Sequence, residues 1–546
     1  MNTSTIAVQD GLNSHVGLIT SFRSLSVPLL LVLFVWIVLI RLPFFTFDVL
    51  SVDEAVYLAL GSGLRHGLIP YVDLVDRKPI GIFLIYAAAE ALFKDPIIGV
   101  RVLGVLSTFT ASLLLMQIGQ RFMRLSANAA FLCGFFYSTY ALLFYGDSGQ
   151  TPVFYMPMVI AGGALVLHEC ERLTKGMAVS IPRLGWAGLA LGLSLQVKYS
   201  TVFECVFFGC ALLFLMWSGR ARLGIRGLRI ASAGIAAMVC GGLLPTVVAY
   251  AVYAALGYSD AFVFYNFTAN LTREASDFPM RAIIFRSALF LVVLLPLLVM
   301  SVRYLMSRGA WPAQRGFEMP ERWAPVTILL WFLSALFGAL AQRQPYATYF
   351  FDTLAPLAIL AAAAFHNRDL AGKPIGATLQ RAAIVMVLPI LGYVGLHLQK
   401  IADNGSPFLP TEIAQDLKAQ GATSMFNFNY YGIVHYFAGI ALPSSYPYPD
   451  HLLRDLEGRS FQFDGGKEIA RILAGNPEVI LLQEPISPKV TAERREMLQN
   501  KVADDYCLWR TYQAGPQHVD VYLNKGSGLP GAGRGCLAVA RKPSNN

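Results

Sequence analysis

Charged residues are scarce in this chain of 546 residues, of which 14% are Asp, Glu, Lys or Arg and 55% are hydrophobic. A soluble domain carries about 25% charged residues. The hydrophobic residues are concentrated in long apolar runs, which are typical of membrane-spanning helices. The composition therefore excludes an ordinary soluble globular protein and predicts a polytopic membrane protein.

Cysteine is also rare, with seven residues in the chain. Five lie in or beside apolar runs without the spacing of metal ligands, which favours small buried side chains over a metal site. Cys507 and Cys536 are the two in the polar C-terminal part, and they can form a disulfide if that part lies in an oxidising compartment. The stretch GSGLPGAGRG at 526–535 lacks the preceding strand and following helix of a phosphate-binding loop. No nucleotide site is therefore predicted there.

Windows of about twenty apolar residues predict about eleven spans. The windows lie near 27–47, 97–119, 126–145, 152–170, 184–198, 200–218, 229–255, 282–304, 324–341, 348–365 and 381–398. A shorter run at 79–93, PIGIFLIYAAAEALF, begins with Pro79 and contains Glu90. The first apolar run is too long for the core of a signal peptide, which favours a retained span.

The basic residues indicate the orientation of these spans. If the N-terminus is cytoplasmic and 79–93 does not cross, the strongly basic connectors fall on one side, at 121–124, 172–183, 220–229, 303–322 and 368–381. Basic connectors concentrate on the cytoplasmic side of membrane proteins. The pattern therefore predicts an interfacial helix at 79–93 and a C-terminus outside. It also explains the net charge of +9 without a nucleic-acid partner, for which no recognition module is visible.

The chain changes character near residue 400. Beyond that point helical periods alternate with short β-branched runs such as 479–482, and the connections are rich in Pro and Gly. This alternation is typical of a compact α/β fold. We therefore predict a helical membrane domain at 1–400, with its first outer loop at 48–96, and an α/β domain at 401–546 on the outer side.

Ionisable and aromatic residues gather at the outer ends of the predicted spans. Ionisable groups at this depth usually mark a functional site. Each also has a structural alternative, since Asp53 can cap a helix, Arg77 and Lys198 can extend to lipid headgroups, and Tyr346 and Tyr349 can belong to an interfacial aromatic belt. Their coincidence on one face favours a site. The candidates are Asp53, Glu54, Asp76, Lys78, Asp147, Lys198, Arg343, Tyr346 and Tyr349.

The residue types indicate a kind of chemistry. Lys78, Lys198 and Arg343 can bind a phosphate through charge-assisted hydrogen bonds. Asp53 beside them can act as a general base on a hydroxyl. Fixed cations in a poorly hydrated pocket stabilise the negative charge that develops on a leaving phosphate. The set therefore predicts group transfer from a lipid phosphate to a hydroxyl.

Three motifs of the chain resemble those of the polytopic GT-C glycosyltransferases, in the group of protein O-mannosyltransferases and lipid A aminoarabinose transferases, which is similar to bacterial glycosyltransferase family 39. The motifs are the acidic pair Asp53-Glu54 after the first span, the Lys78-Pro79 dipeptide at the interfacial helix, and the segment RQPYATYFFDTLAPLAIL at 343–360. An α/β outer domain after the last span also suits the bacterial members. The resemblance covers most of the chain.

The resemblance implies an inverting glycosyltransferase with Asp53 as its catalytic base. A polyprenyl-phosphate-linked sugar would be the donor, and the acceptor would be a hydroxyl of an envelope glycolipid such as lipid A, or of a polysaccharide. Lys78, Lys198 and Arg343 would hold the phosphate, with Tyr346 or Tyr349 in the same pocket. Glu54, Asp76 and Asp147 are the further substrate-binding candidates that the resemblance implies. No cofactor is required, and a divalent metal is not indicated.

The location that follows is a bacterial inner membrane, with a cytoplasmic N-terminus and a periplasmic C-terminal domain. The chain also departs from the group, since many members have Thr-Glu where it has Thr151-Pro152, and the Trp-Trp-Asp signature of oligosaccharyltransferases does not occur. A protein O-glycosyltransferase of the same fold, a transporter or lipid flippase, and a non-catalytic relative remain alternatives. Transporters often contain internal repeats, and no such repeat is evident in the sequence.

Overall fold

The computed structural model of the chain describes residues 27–272, 278–307, 323–344, 346–366, 375–532 and 536–538. Parts of two basic connectors, 308–322 and 367–374, and the glycine-rich residues 533–535 lie outside these ranges. The described chain up to Asn404 is helical. Its α-helices are α1 (Val27–Leu39), α2 (Val52–Arg65), α3 (Ile80–Leu92), α4 (Pro96–Arg121), α5 (Ala127–Tyr140), α6 (Thr151–Thr174), α7 (Ile181–Leu195), α8 (Val202–Ser218), α9 (Arg220–Ala255), α10 (Ser259–Val263), α11 (Ala269–Leu271), α12 (Met280–Val293), α13 (Leu295–Ser307), α14 (Trp323–Ala341), α15 (Leu354–Ala363) and α16 (Ile375–Asn404).

Eight helical stretches of the described chain are long and apolar enough to cross a membrane, and a ninth is added if α12 and α13, bent by 64°, form one span. The prediction of about eleven spans is higher than this count. The two further windows, near 184–198 and 348–365, correspond to the short apolar helices Ile181–Leu195 and Ala347–Ala363. At 1.5 Å per residue the α-helix Ile181–Leu195 rises only about 22 Å, less than the ~30 Å thickness of the hydrocarbon core. Ala347–Ala363 begins with two 3₁₀ turns, and its α-helical part has 10 residues. Apolarity alone therefore overestimated the number of full spans.

Helices α7 and α9 pack at very close range. A Cβ atom on Gly188 would lie 1.9 Å from the carbonyl oxygen of Met238, and a Cβ atom on Gly192 would lie 2.3 Å from that of Gly242. Glycine has no side chain, so the two backbones can approach this closely. Close van der Waals packing of this kind is the main source of helix association in a membrane. The larger apolar side chains, such as the fully buried Trp331 of α14, fill one continuous core among the helices.

The C-terminal part is a mixed α/β domain, as the sequence predicts. Its helices and strands are α17 (Leu409–Gln420), β1 (Met425–Asn427), α18 (Ile433–Ala438), α19 (Pro449–Leu453), α20 (Asp455–Phe461), α21 (Gly465–Ala474), β2 (Val479–Glu484), α22 (Ala492–Asp505), β3 (Tyr506–Ala514), β4 (Gln517–Asn524) and β5 (Leu537–Ala538). The strands form one sheet in the order β1-β2-β4-β3-β5, in which β1 pairs with β2 in parallel and the other pairs are antiparallel. Cys507 of β3 forms a disulfide with Cys536.

Hydrogen bonds attach this domain to a loop and a helix of the helical part. Asp48, in the loop after α1, accepts hydrogen bonds of 2.8 and 2.9 Å from the backbone N–H and hydroxyl of Thr411. Tyr436 of α18 donates one of 3.0 Å to Glu90 of α3. Both carboxylates belong to the region between α1 and α4, which contains four of the nine predicted site residues. The C-terminal domain is thereby held over that region.

Candidate active site

The N-terminus of α2 separates the two carboxylates of the acidic pair. Glu54 accepts hydrogen bonds from the backbone N–H groups of Leu50 and Ser51, at 3.1 and 3.4 Å, and completes a capping box with Ser51. Asp53 precedes it by one residue, or about 100° of helical rotation, and lines a large cavity instead. The side-chain amide of Gln150 donates a 2.8 Å hydrogen bond to its Oδ2. This bond holds the carboxylate in position and leaves its other oxygen for a further partner.

The cavity has a volume of about 1200 Å³ and is bounded by the ends of several helices and by the C-terminal domain. It brings together side chains that are far apart in the sequence. Seven of the nine predicted site residues line it, namely Asp53, Asp76, Lys78, Asp147, Lys198, Tyr346 and Tyr349. Glu54 and Arg343 are not among the residues that line it.

Glu54 has a structural environment. Its side chain is 1% exposed and pairs with Arg101 of α4 at 3.1 Å, and it also accepts a 2.8 Å hydrogen bond from the backbone N–H of Gly149. Arg101 in turn donates to the carbonyl groups of Phe45 and Phe47. A buried charge is tolerated when it is paired and hydrogen-bonded in this way. Glu54 therefore ties together three segments behind the cavity and is not among the residues that line it, and its part in substrate binding stays a prediction.

Arg343 lies beyond the C-terminal end of α14, where its backbone adopts a positive φ of 50°. Its side chain is exposed. Its neighbours Ala341, Gln342 and Tyr346 line the cavity, whereas Arg343 is not among the lining residues. The prediction grouped Arg343 with the lysines because all three residues end apolar runs, and its role as a phosphate ligand stays a prediction.

The two predicted lysines line the same cavity as Asp53. The Lys198 ammonium lies 4.2 Å from the ring centroid of Tyr349, and the Lys78 ammonium lies 5.9 Å from that of Tyr57, both at cation–π range. Lys198 is close enough to Lys78 and Asp53 for their charges to interact. Two ammonium groups at this range repel each other and are stabilised when an anion binds near both. The arrangement is suited to a phosphate.

The loop that contains Lys78 is itself ordered by hydrogen bonds. The Asp76 carboxylate accepts a 2.9 Å hydrogen bond from the backbone N–H of Lys78. The carbonyl oxygen of Lys78 accepts one of 2.7 Å from the hydroxyl of the buried Tyr71. Asp76 thus lines the cavity, but one of its oxygens also fixes the backbone that carries the lysine.

Asp147 lies in the loop between α5 and α6 and is 6% exposed. It accepts hydrogen bonds from His397 Nε2 at 2.8 Å and from the Tyr393 hydroxyl at 3.1 Å, both on α16. Burial alone would raise the pKa of Asp147, but the hydrogen bond from His397 and the charges of Lys400 and Arg41 outweigh burial and lower it. Asp147 is therefore a carboxylate at one wall of the cavity that protein partners hold in its charged form.

Several lining residues were not predicted from the sequence. Arg286 of α12 and Lys400 of α16 are single cations in or beside long apolar runs, and that isolation is a signal that could have identified them. His397 lines the same wall. The C-terminal domain adds Tyr448, Asp450, His451 and Arg454. No sequence pattern pointed to these four, since they lie in a polar region of ordinary composition.

Among the described residues, no group of three or more His, Cys, Asp or Glu side chains is arranged to hold a metal ion. That the protein needs no cofactor stays a prediction. The cavity offers ammonium and guanidinium groups, which can stabilise a phosphate directly.

Comparison with known proteins identifies the fold. Neither a family model nor a curated protein sequence matches the chain. The crystal structure of ArnT from Cupriavidus metallidurans, bound to undecaprenyl phosphate, matches with a TM-score of 0.55 and 13% sequence identity, over 93% of this chain and 98% of that one. The oligosaccharyltransferase from Archaeoglobus fulgidus, in complex with zinc and sulfate, has a TM-score of 0.44 at 11% identity, over 91% of this chain and 73% of the other. The first match confirms the predicted GT-C fold, a helical multi-span membrane protein with a C-terminal α/β domain.

Proposed function

We propose that this chain is an inverting glycosyltransferase that moves a sugar from a polyprenyl-phosphate donor to a hydroxyl group of an acceptor. One observation carries the proposal, namely that a single large cavity contains the carboxylate of Asp53 together with the ammonium groups of Lys78 and Lys198. The ArnT structure of the same fold was crystallised with undecaprenyl phosphate, which supports a donor of that chemical class.

The proposed reaction is a direct displacement. The acceptor oxygen attacks the anomeric carbon of the sugar while Asp53 accepts the hydroxyl proton. The bond from that carbon to the phosphate oxygen breaks with its electron pair, and polyprenyl phosphate leaves with an additional negative charge. Lys78 and Lys198 stabilise this charge in a cavity shielded from bulk water. A single attack from the opposite side of the sugar inverts the anomeric configuration.

The remaining lining residues suit the other portions of the donor. Leu142, Leu143, Leu289 and Phe290 give the cavity an apolar side, against which an isoprenoid chain can pack. Arg286 lies one helical turn from this apolar side and offers a third cation for the phosphate. The donor would therefore lie with its lipid against the helices and its phosphate near the lysines.

We place the reaction at the outer face of a bacterial inner membrane, with the C-terminal domain in the periplasm. The support is the one-sided distribution of basic connectors in the sequence. The proposed acceptor is an envelope glycolipid such as lipid A, or a polysaccharide. A protein hydroxyl is the alternative acceptor, and a transporter or lipid flippase is the alternative class.

The test uses purified protein with radiolabelled polyprenyl-phosphate sugars and envelope extract. At a donor concentration below that required for the half-maximal rate, wild type should move label into a new product, Asp53→Asn should not, and Lys78→Ala should do so about tenfold more slowly. Asp260→Asn and Lys94→Ala are matched controls, because both residues are exposed and neither lines the cavity. Transfer at the wild-type rate in the cavity variants would overturn the site. Movement of labelled lipid across reconstituted vesicles without any product would instead favour the flippase.

A further inference from the structure

One wall of the cavity belongs to the C-terminal domain. Residues 445–461, here named the cap segment, include α19 and α20, and four of their side chains line the cavity: Tyr448, Asp450, His451 and Arg454. The proposed reaction assigns no task to them. Because the lysines and Asp53 belong to the helical part, the cap segment brings a chemically separate set of groups to the same space.

The chemistry of the cap segment differs from that of the lysines. The carboxylate of Asp450 in α19 and the guanidinium of Arg454, which follows that helix, lie 3.5 Å apart, with side chains 41% and 17% exposed. The rings of Tyr448 and His451 are arranged edge to face with centroids 5.4 Å apart. A carboxylate accepts hydrogen bonds, a guanidinium donates them, and aromatic rings offer apolar faces. Together these groups match a neutral sugar, which has many hydroxyl groups and apolar C–H faces.

The same groups disfavour an anionic ligand at this wall. The charge of the Arg454 guanidinium is already offset by the carboxylate of Asp450 at 3.5 Å, and that carboxylate would repel a phosphate bound beside it. The cations suited to a phosphate, Lys78 and Lys198, belong to the other set. The cavity therefore contains one region for an anion and one for hydroxyl groups.

The hydroxyl-binding region lies near the proposed base. Tyr448 is close enough to Asp53 for their charges to interact, and burial together with the charges of Asp450 and Asp53 raises the pKa of the Tyr448 phenol well above its usual value. Tyr448 therefore stays protonated and can donate a hydrogen bond. Tyr448 and Asp53 line the same cavity, so a sugar bound against Tyr448 shares that space with the proposed base.

The cap segment is also fixed to the loop that carries Lys78. Its Ser445 carbonyl oxygen accepts a 2.9 Å hydrogen bond from the backbone N–H of Val75. The Arg77 guanidinium donates one of 2.9 Å to the Ser460 hydroxyl and lies 4.9 Å from the ring centroid of Phe461. These contacts attach the cap segment to the loop that carries the phosphate-binding lysine.

We infer that the cap segment is the acceptor subsite, and that Tyr448 and Asp450 select a neutral, hydroxyl-bearing sugar unit over a phosphate-bearing one. The inference rests on the proposed function and narrows its acceptor. It assigns the C-terminal domain a direct part in specificity, since residues of that domain contact the acceptor while residues of the helical part hold the donor.

The experiment separates envelope glycans and glycolipids into neutral and anionic fractions by ion exchange and offers each to the enzyme with labelled donor. Wild type should label the neutral fraction. For Asp450→Asn, the half-saturating concentration of that fraction should rise about tenfold, the loss expected for one hydrogen bond to a charged group. For Tyr448→Phe it should rise about fivefold, the loss expected for one hydrogen bond between neutral groups. The increase in thermal midpoint that undecaprenyl phosphate causes should stay within about twofold of the increase in wild type. This measurement also shows that the variants fold. Glu493→Gln, an exposed position of α22, is the control.

Three results would overturn the inference. Wild type could label the anionic fraction, Asp450→Asn could improve transfer to that fraction, or both cap variants could match wild type while transfer itself proceeds. In each case the proposed function would stand. If wild type neither binds undecaprenyl phosphate nor transfers label, the proposed function fails and the inference fails with it.

Discussion

The carboxylates of Asp53 and Glu54 occupy different environments although the residues are adjacent in the chain. Asp53 lines the cavity and accepts a hydrogen bond from Gln150, whereas Glu54 is buried against Arg101 at 3.1 Å. One step along a helix rotates a side chain by about 100°, which is enough to place one carboxylate toward a substrate and the other in the protein interior. Substitutions at the two positions should therefore have different consequences.

Asp53→Asn should abolish transfer and leave the protein folded. The amide keeps the size of the carboxylate but cannot accept the acceptor proton, and loss of a general base lowers rates by about 10²–10⁴-fold. The measurement is turnover of labelled donor beside thermal stabilisation by undecaprenyl phosphate, which should persist. A variant that keeps more than about half of wild-type turnover would exclude Asp53 as the base.

Glu54→Gln should act mainly on stability. Removing one charge of a buried pair leaves the Arg101 guanidinium uncompensated, at a cost on the order of 3–5 kcal/mol. We expect a clearly lower thermal midpoint in detergent and reduced yield of folded protein. The double substitution Glu54→Gln with Arg101→Met should recover part of the loss, because no buried charge is then unpaired. Normal stability with lost donor affinity would show that Glu54 binds substrate after all.

Lys78→Ala should raise the donor concentration required for half-maximal rate by about tenfold or more, since it removes a charge-assisted hydrogen bond to phosphate. Arg343→Ala should change it by less than about twofold, because the Arg343 side chain is exposed and does not line the cavity. Steady-state kinetics with donor varied at fixed acceptor compare the two directly. An equal rise in this donor concentration for both variants would mean that the chain after α14 moves to bring Arg343 to the phosphate.

His435 should make the C-terminal domain sensitive to acid. Burial lowers the pKa of His435 from 6.5 to about 4, so the unfolded chain binds this proton at a higher pH than the folded chain does. The neutral form contributes its full stability above pH 6.5 and progressively less as the pH falls toward about 4, by about 1.4 kcal/mol per pH unit. Thermal midpoints near pH 7 and pH 5 should therefore differ more for wild type than for His435→Gln. An equal difference in both proteins would show that His435 does not cause the sensitivity to acid.

Much of the architecture followed from composition and periodicity. Apolar runs located the helices of the membrane part, and the change in pattern near residue 400 located the α/β domain. The number of spans was overestimated because an apolar window does not report helix length, as Ile181–Leu195 and Ala347–Ala363 demonstrate. The disulfide between Cys507 and Cys536 was left open by the sequence, because pairing requires the two residues to meet in space, as they do at β3.

For the candidate site, the sequence by itself determined which residue types were unusual for a membrane protein, since a charge at the end of an apolar run is costly wherever the run ends. That argument found Asp53, Lys78 and Lys198. Only the tertiary structure decided which side of each element faces the cavity, and it placed Glu54 in the interior and Arg343 at the surface. It also brought Tyr448 and Asp450 of the cap segment to the same cavity from nearly four hundred residues away. Contacts over such separations depend on the packing of whole elements, which no local pattern in the chain records.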